Sequence, residues 1–142
     1  MWKWRVKNYT KLQLGIIMFK QTKSLHLALS YIGKRVEVII DRPIGSKHPK
    51  YDFVYEVNYG YVPGMLAPDG EDLDVYYLGT NEPLEKASGI CIAVAHRNDD
   101  DDDKLIVVPV GVELTDQEIM QAIKLNEKWF DTEIVRSGNV SA

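Results

Sequence analysis

Between Asp69 and Asp74 the chain places four carboxylates within six residues, Asp69-Gly70-Glu71-Asp72-Leu73-Asp74, and then runs straight on into Val75-Tyr76-Tyr77-Leu78. Leu73 and Val75 alternate with Asp72 and Asp74, so a strand here turns its apolar pair towards a core and both acids towards the other face. Asp69 and Glu71 approach that face from the turn at Gly70. Two carboxylates about 4 Å apart repel by about 4 kcal/mol at an effective dielectric of about 20, so a converging group must take up protons, diverge into water or hold cations. Cations are the least costly resolution at pH 7. An Asp-Gly-Glu-Asp run taken alone is usually a solvated turn, and that reading stays open at this point.

The rest of the chain frames this segment with short β-rich runs. Arg35 to Ile40, Leu73 to Leu78, Gly89 to Ala95 and Leu105 to Val110 are β-branched or aromatic and bounded by Gly, Pro, Asn or Asp, which predicts a small β-sheet or barrel. Asp41 to Pro49 reads as a long turn. Thr115-Asp116-Gln117-Glu118 has the spacing of a capping box, and Ile119, Ile123, Leu125, Trp129 and Phe130 follow at near-helical intervals. One amphipathic C-terminal helix should therefore pack on the sheet and fray before the polar tail from Ser137. No repeat and no Gly/Ser-rich linker divides the 142 residues, so one domain is expected.

Composition closes off several classes. Hydrophobic residues at 45% and charged residues at 27% exclude a disordered or collagenous chain. The lone Cys91 lies in an apolar run and has no intramolecular partner, which suits a reducing cytoplasm. No run approaches the roughly 18 apolar residues of a bilayer span, so no membrane partner is expected. Residues 1–36 hold eight Lys or Arg and no acid, leaving nine basic and 21 acidic residues, a formal charge of −12, for the remainder. So acidic a domain repels nucleic acid and attracts metal ions. Residues 1–34 read as a basic extension: a targeting or membrane-surface peptide, a docking arm, or translated sequence upstream of a start at Met18.

The oxygen donors of the acidic turn suit Mg²⁺, Mn²⁺ or Ca²⁺. His26, His48 and His96 lack zinc-ligand spacing, and the acids do not follow the EF-hand pattern. A second cluster, Asp99 to Asp103, ends at Lys104 as a strand begins; on its own it is a solvated loop.

Taken together, Asn58-Tyr59-Gly60-Tyr61, Asp69 to Val75, the upstream Asp41-Arg42-Pro43 and Lys50-Tyr51-Asp52, and the downstream Asp102-Asp103-Lys104-Leu105 resemble the soluble family I inorganic pyrophosphatases. The likeness covers about residues 35 to 110. It implies an α+β, mainly β domain over 35–142: a small OB-like, closed or partly open five-stranded barrel with the amphipathic helix at its C-terminal end. It also implies hydrolysis of pyrophosphate to two phosphates in the cytoplasm, several Mg²⁺ ions with Mn²⁺ as second candidate, and some homo-oligomer.

Carried over by position, the resemblance gives Asp69, Asp74 and Asp102 as the inner metal carboxylates, Asp99 as a further ligand, and Asp41 and Asp52 as outer acids. Glu71 takes the base position. Lys50 and Lys104 resemble the lysines that hold phosphate oxygens, and Tyr55 and Tyr59 the tyrosines beside them; Lys50, Tyr59 and Lys104 join Glu71 in the catalytic set. A compact polyanion enters an acidic pocket only with divalent ions to reverse the local field.

The chain also departs from the family pattern. The hairpin that carries a phosphate-binding arginine is shortened away between Asp52 and Asn58, so Arg42 or Arg97 would have to substitute. Glu71 stands for the usual Asp and Asp72 for the usual Pro, and Trp129-Phe130 stands where a Tyr-Lys pair is expected. A catalytically weakened metal, phosphate or nucleotide-binding module is therefore the alternative. An oligonucleotide-binding barrel is a third reading, disfavoured by the acidic segments.

Overall fold

The computed structural model describes residues 23–67, 70–99 and 102–136. The expected position of Asp69, the interior of the second acidic cluster and most of the basic extension lie outside the described residues.

In chain order the elements are helix α1 (Lys23–Leu29), strands β1 (Arg35–Arg42), β2 (Asn58–Leu66), β3 (Asp72–Tyr77), β4 (Lys86–Arg97) and β5 (Asp103–Val108), helix α2 (Asp116–Glu127), and strand β6 (Thr132–Val135). The sheet order is β1-β2-β3-β5-β4-β6, and β1 also pairs with β4. That last pairing closes five strands into a mixed barrel, β3 and β5 being its parallel pair. Closure depends on the length of β4: Lys86 to Ile90 pair with β1, Ile90 to His96 pair with β5 across a register shift between Cys91 and Ala93, and Val94 to Arg97 pair with β6. The expected OB-like barrel is the fold observed.

Strand alternation sorts the side chains into two cores. Val36, Val38, Val62, Leu73, Val75, Val94, Leu105 and Val107 point inwards and fill the barrel, joined by Leu25, Ala28 and Leu29 of α1. Tyr76, Leu78, Ala93, Ala95, Ile106 and Val108 point outwards and would be wet without α2. Ile119, Met120 and Ile123 of α2 cover them and are at most 1% exposed, each side chain contributing about 1.5–3 kcal/mol by burial. The helix starts at the expected capping box, with the Thr115 hydroxyl accepting from the Glu118 amide at 3.1 Å and the Glu118 carboxylate accepting from the Thr115 amide at 2.9 Å.

Two features differ from the sequence reading. Residues 58–66 form a strand that is not among those expected from the sequence. Pro63 and Gly64 lie in a stretch where the β2–β3 register slips between Val62 and Leu66, with Gly64 at φ +78°. Gly60 is there for closeness, because a Cβ would sit 1.8 Å from the Ile39 carbonyl oxygen on β1. The apolar spacing of α2 also stops short: the helix ends at Glu127, the Lys128 amide donates to the Lys124 carbonyl, and Trp129 is 66% exposed. Past the last turn, Trp129 and Phe130 leave the helical face.

Burial pushes the Cys91 thiol up to about 12, so it stays protonated at physiological pH. The close approach at Gly60 yields the stability prediction. Gly60→Ala forces β1 and β2 apart and should destabilise the fold by about 1–3 kcal/mol, lowering the thermal midpoint by several degrees; an unchanged midpoint would contradict the packing of β2 on β1.

Candidate active site

The outward face of β2, β3, β4 and β5 extends beyond the end of α2, and there the 47–57 loop and the residues after α2 wall off a cleft of about 780 Å³. Alternation delivers its floor: Tyr59 of β2 pairs across with Tyr76 of β3, Asp74 lies two residues before Tyr76 on the same face, and Lys104 of β5 pairs with Ala95 of β4.

Lys104 is the hub of the cleft. Its side chain is 4% exposed, and its ammonium donates to the Tyr59 hydroxyl at 3.1 Å, to Asp74 Oδ2 at 3.1 Å and to Asp102 Oδ2 at 3.0 Å. Three donors meet three acceptors, which fully satisfies an ammonium. Burial works against its charge, but the Tyr59 oxygen and the carboxylates of Asp74 and Asp102 outweigh it, so Lys104 is held protonated above its usual range. Burial likewise raises the Tyr59 hydroxyl, which stays neutral.

A second cation stands beside the first. Arg97, at the end of β4, donates to Asp102 Oδ2 at 3.1 Å and makes a two-pronged pair with Glu127 at 2.9 and 2.8 Å. Its guanidinium lies 3.7 Å from the centre of the Phe130 ring. Burial opposes the charge, and Glu127 overrides that, so the arginine is fixed in its cationic form. Glu127 is 0% exposed and also accepts from the Tyr76 hydroxyl at 2.5 Å and the Thr132 hydroxyl at 2.8 Å. Four bonds, from two hydroxyls and the arginine fork, make a satisfied buried network.

The third wall is aromatic. His48 stacks on Tyr55 at 5.7 Å, Tyr55 on Tyr59 at 5.9 Å, and Tyr59 tilts against Tyr76 at 5.1 Å. His48 Nδ1 accepts the backbone N–H groups of Lys50 and Tyr51 at 3.0 and 3.1 Å, which shapes the loop. Burial and the charges of Arg42 and Lys50 hold the imidazole below its usual value, so it is neutral at pH 7.

Of the residues singled out from the sequence, Lys50, Asp52, Tyr55, Tyr59, Asp74, Asp102 and Lys104 line this one cleft. Asp69 lies outside the described residues. Glu71 is exposed on the turn before β3 and is not in the lining, nor are Asp41 and Asp99. Burial and, after it, the charge of Asp41 raise the Tyr55 hydroxyl above its usual value. Asp99 accepts the Asp131 amide at 2.6 Å and tethers its own loop. Arg97, rather than Arg42, is the arginine in the cleft.

The cleft is also less acidic than the sequence suggested. Lys50, Arg97, Lys104 and Lys128 are set against Asp52, Asp74 and Asp102, so its described lining carries a small positive balance. Asp74 and Asp102 converge on one ammonium, and two such carboxylates completed by phosphate oxygens match the oxygen donor set that Mg²⁺ takes. Among the described residues no group of three His, Cys, Asp or Glu side chains converges. The described residues therefore offer two of the oxygen donors that a hard divalent cation takes.

Sequence reasoning overlooked Glu127, although a signal was present: it continues the Ile119, Ile123 stripe at i+4, and an acid on an apolar stripe implies a buried cationic partner.

The family model of inorganic pyrophosphatase matches residues 34–134. The chain belongs to the inorganic pyrophosphatase family. It is 31% identical over 96 residues to the inorganic pyrophosphatase of Aeropyrum pernix, covering 52% of this chain and 53% of that one. The chain thus spans about half the length of that curated relative. The crystal structure of inorganic pyrophosphatase from Ehrlichia chaffeensis superposes with a TM-score of 0.59 at 17% identity, over 74% of this chain and 87% of the other. That from Neisseria gonorrhoeae gives 0.51 at 23%, over 73% and 83%. At these identities the two structures establish a shared fold.

The Arg97–Glu127 pair predicts a large stability effect away from the barrel core. Glu127→Gln leaves the buried guanidinium with only the partly exposed Asp102 as counter-charge and should cost about 3–5 kcal/mol in denaturant titration. A change below about 0.5 kcal/mol would show that the pair does not hold this corner together.

Proposed function

We propose that this chain hydrolyses inorganic pyrophosphate to two phosphates, with Mg²⁺ as its cation and Mn²⁺ as the second candidate. The observation that carries the reading is the buried Lys104 ammonium, which gathers Tyr59, Asp74 and Asp102 at one point in a chain of this family. Water attack on one phosphorus forms a new P–O bond and breaks the bridging one. The leaving phosphate takes the bridging oxygen with its electron pair, and the water loses a proton.

Lys104 sits where charge accumulates on the phosphate oxygens; its three donors are held by Tyr59, Asp74 and Asp102, so it acts there through a fixed positive charge. Lys50, exposed on the loop, meets the outer phosphate. Tyr55 and Tyr59 wall the phosphates and exclude water from one side, with the neutral Tyr59 hydroxyl able to donate. Arg97 takes the part of the missing hairpin arginine: held by Glu127, it supplies a fixed positive charge beside Asp102. Asp74 and Asp102 would hold the divalent cation, joined by Asp69 from the turn and by Asp52, Asp41 and Asp99 as outer acids. Bound there, such an ion screens the phosphate charge and lowers the pKa of its water. Glu71 is proposed as the proton acceptor, by its place in the acidic turn.

The inner lysine and the two aspartates are already paired in the structure, which favours an enzyme over a binding module that has lost its geometry. Phosphate release from pyrophosphate should appear with Mg²⁺ and vanish without a divalent ion. Asp74→Asn and Glu71→Gln should each lower it at least 100-fold, an effect on the order of that from losing one positioned charge or base. Silence across several divalent ions would reject hydrolysis, and full activity of either variant would remove that residue from its role.

A further inference from the structure

The cleft is larger and more aromatic than two phosphates require. Its volume of about 780 Å³ falls in the range of about 300–1,000 Å³ over which pockets enclose ligands of drug size. Lys104 and its partners account for the phosphoryl groups, and rings of the 47–57 loop and of the segment after α2 line the same cleft. Most of these rings are already in use: the 47–57 loop rings stack on one another, and Phe130 lies under Arg97. Tyr51 and Trp129 differ in exposure, although the Tyr51 ring also packs on His48 at 5.0 Å and Lys128 lies over the Trp129 ring. They are 61% and 66% exposed, they come from separate stretches of chain, and both line the same cavity.

An inorganic anion gains nothing from an exposed indole, whereas a flat heterocycle gains stacking area on it, and every nucleobase has such a face. Lys128, 5.0 Å from the centre of the Trp129 ring, adds a cation next to that platform, and Lys50 adds one on the loop side. A single polyanion with an aromatic end matches this set of features in one lining: a buried ammonium, further lysines and two solvent-exposed rings. A long nucleic acid does not match, because residues beyond 36 carry a formal charge of −12 and repel an extended phosphate backbone.

We propose that the cleft binds a nucleoside polyphosphate, its phosphates at Lys104, Asp74 and Asp102 and its base against Tyr51 and Trp129. The proposal rests on the phosphate-binding reading above and adds to it a base subsite.

Two matched non-hydrolysable probes test it by calorimetry in the presence of Mg²⁺: α,β-methylene-ADP and methylenediphosphonate, which share the phosphonate bridge and differ by the nucleoside. The intact chain should bind the nucleotide probe at least tenfold more tightly, equivalent to about 1.4 kcal/mol. In Trp129→Ala and in Tyr51→Ala, both at exposed positions, that ratio should fall towards one. Equal affinity for the two probes in the intact chain would overturn the base subsite and leave the phosphate reading standing. A ratio that survives both substitutions would overturn the assignment to these rings. Binding of neither probe would overturn the proposal along with the phosphate reading beneath it.

Discussion

A lysine ammonium shut away from water and shared among two carboxylates and a phenol is the interaction around which this molecule is arranged. Lys104 would be costly to bury alone. Asp74, Asp102 and Tyr59 offset that cost; Asp74 and Tyr59 reach it because their strands present the correct face, and Asp102 reaches it from just before β5. A one-residue slip in β3 or β5 would turn Asp74 or Lys104 into the barrel and bring Val75 or Leu105 out. The hydrophobic core and the polar site thus fix one another: the same alternation that fills the barrel with Leu73, Val75, Leu105 and Val107 places Asp74 and Lys104 outside it.

The Arg97–Glu127 pair extends this arrangement to the second core. Glu127 ends the buried stripe of α2, so the helix that covers the outer sheet face also carries the counter-charge for the arginine beside Asp102. Strand β6 contributes Thr132 to the same carboxylate. The C-terminal segment thereby connects packing to electrostatics at one end of the cleft. It also changes the role of the acids, because Asp102 is met by two fixed cations before any ion or substrate arrives.

Much of this was legible in the sequence because it rests on period and punctuation. The alternation Asp72-Leu73-Asp74-Val75, the capping box at Thr115 and four of the strands follow from local pattern. Strand β2 did not, since Gly60 reads as a turn residue until the carbonyl of Ile39 is seen against it. The contribution of α1 to the barrel core was likewise hidden, its seven residues being short and lying within a stretch notable mainly for its charge. Within the cleft, Lys50, Tyr55, Tyr59, Asp74, Asp102 and Lys104 could be named from order along the chain. Arg97 could be named only as an alternative to Arg42, and its pairing with Glu127 and Phe130 could not be named, because those partners are 30 and 33 residues away and only the packing of α2 on the sheet brings them together.

The claim that the buried ammonium organises the phosphate end is tested most directly by Lys104→Met, which keeps the length of the side chain and removes its charge. Asp74 and Asp102 are each partly exposed, so the variant should keep its far-ultraviolet circular dichroism. Steady-state phosphate release from pyrophosphate with Mg²⁺ should then fall at least 100-fold, on the order of the loss of a preorganised electrostatic group. Release within twofold of the unaltered chain, from a folded Lys104→Met protein, would contradict the account.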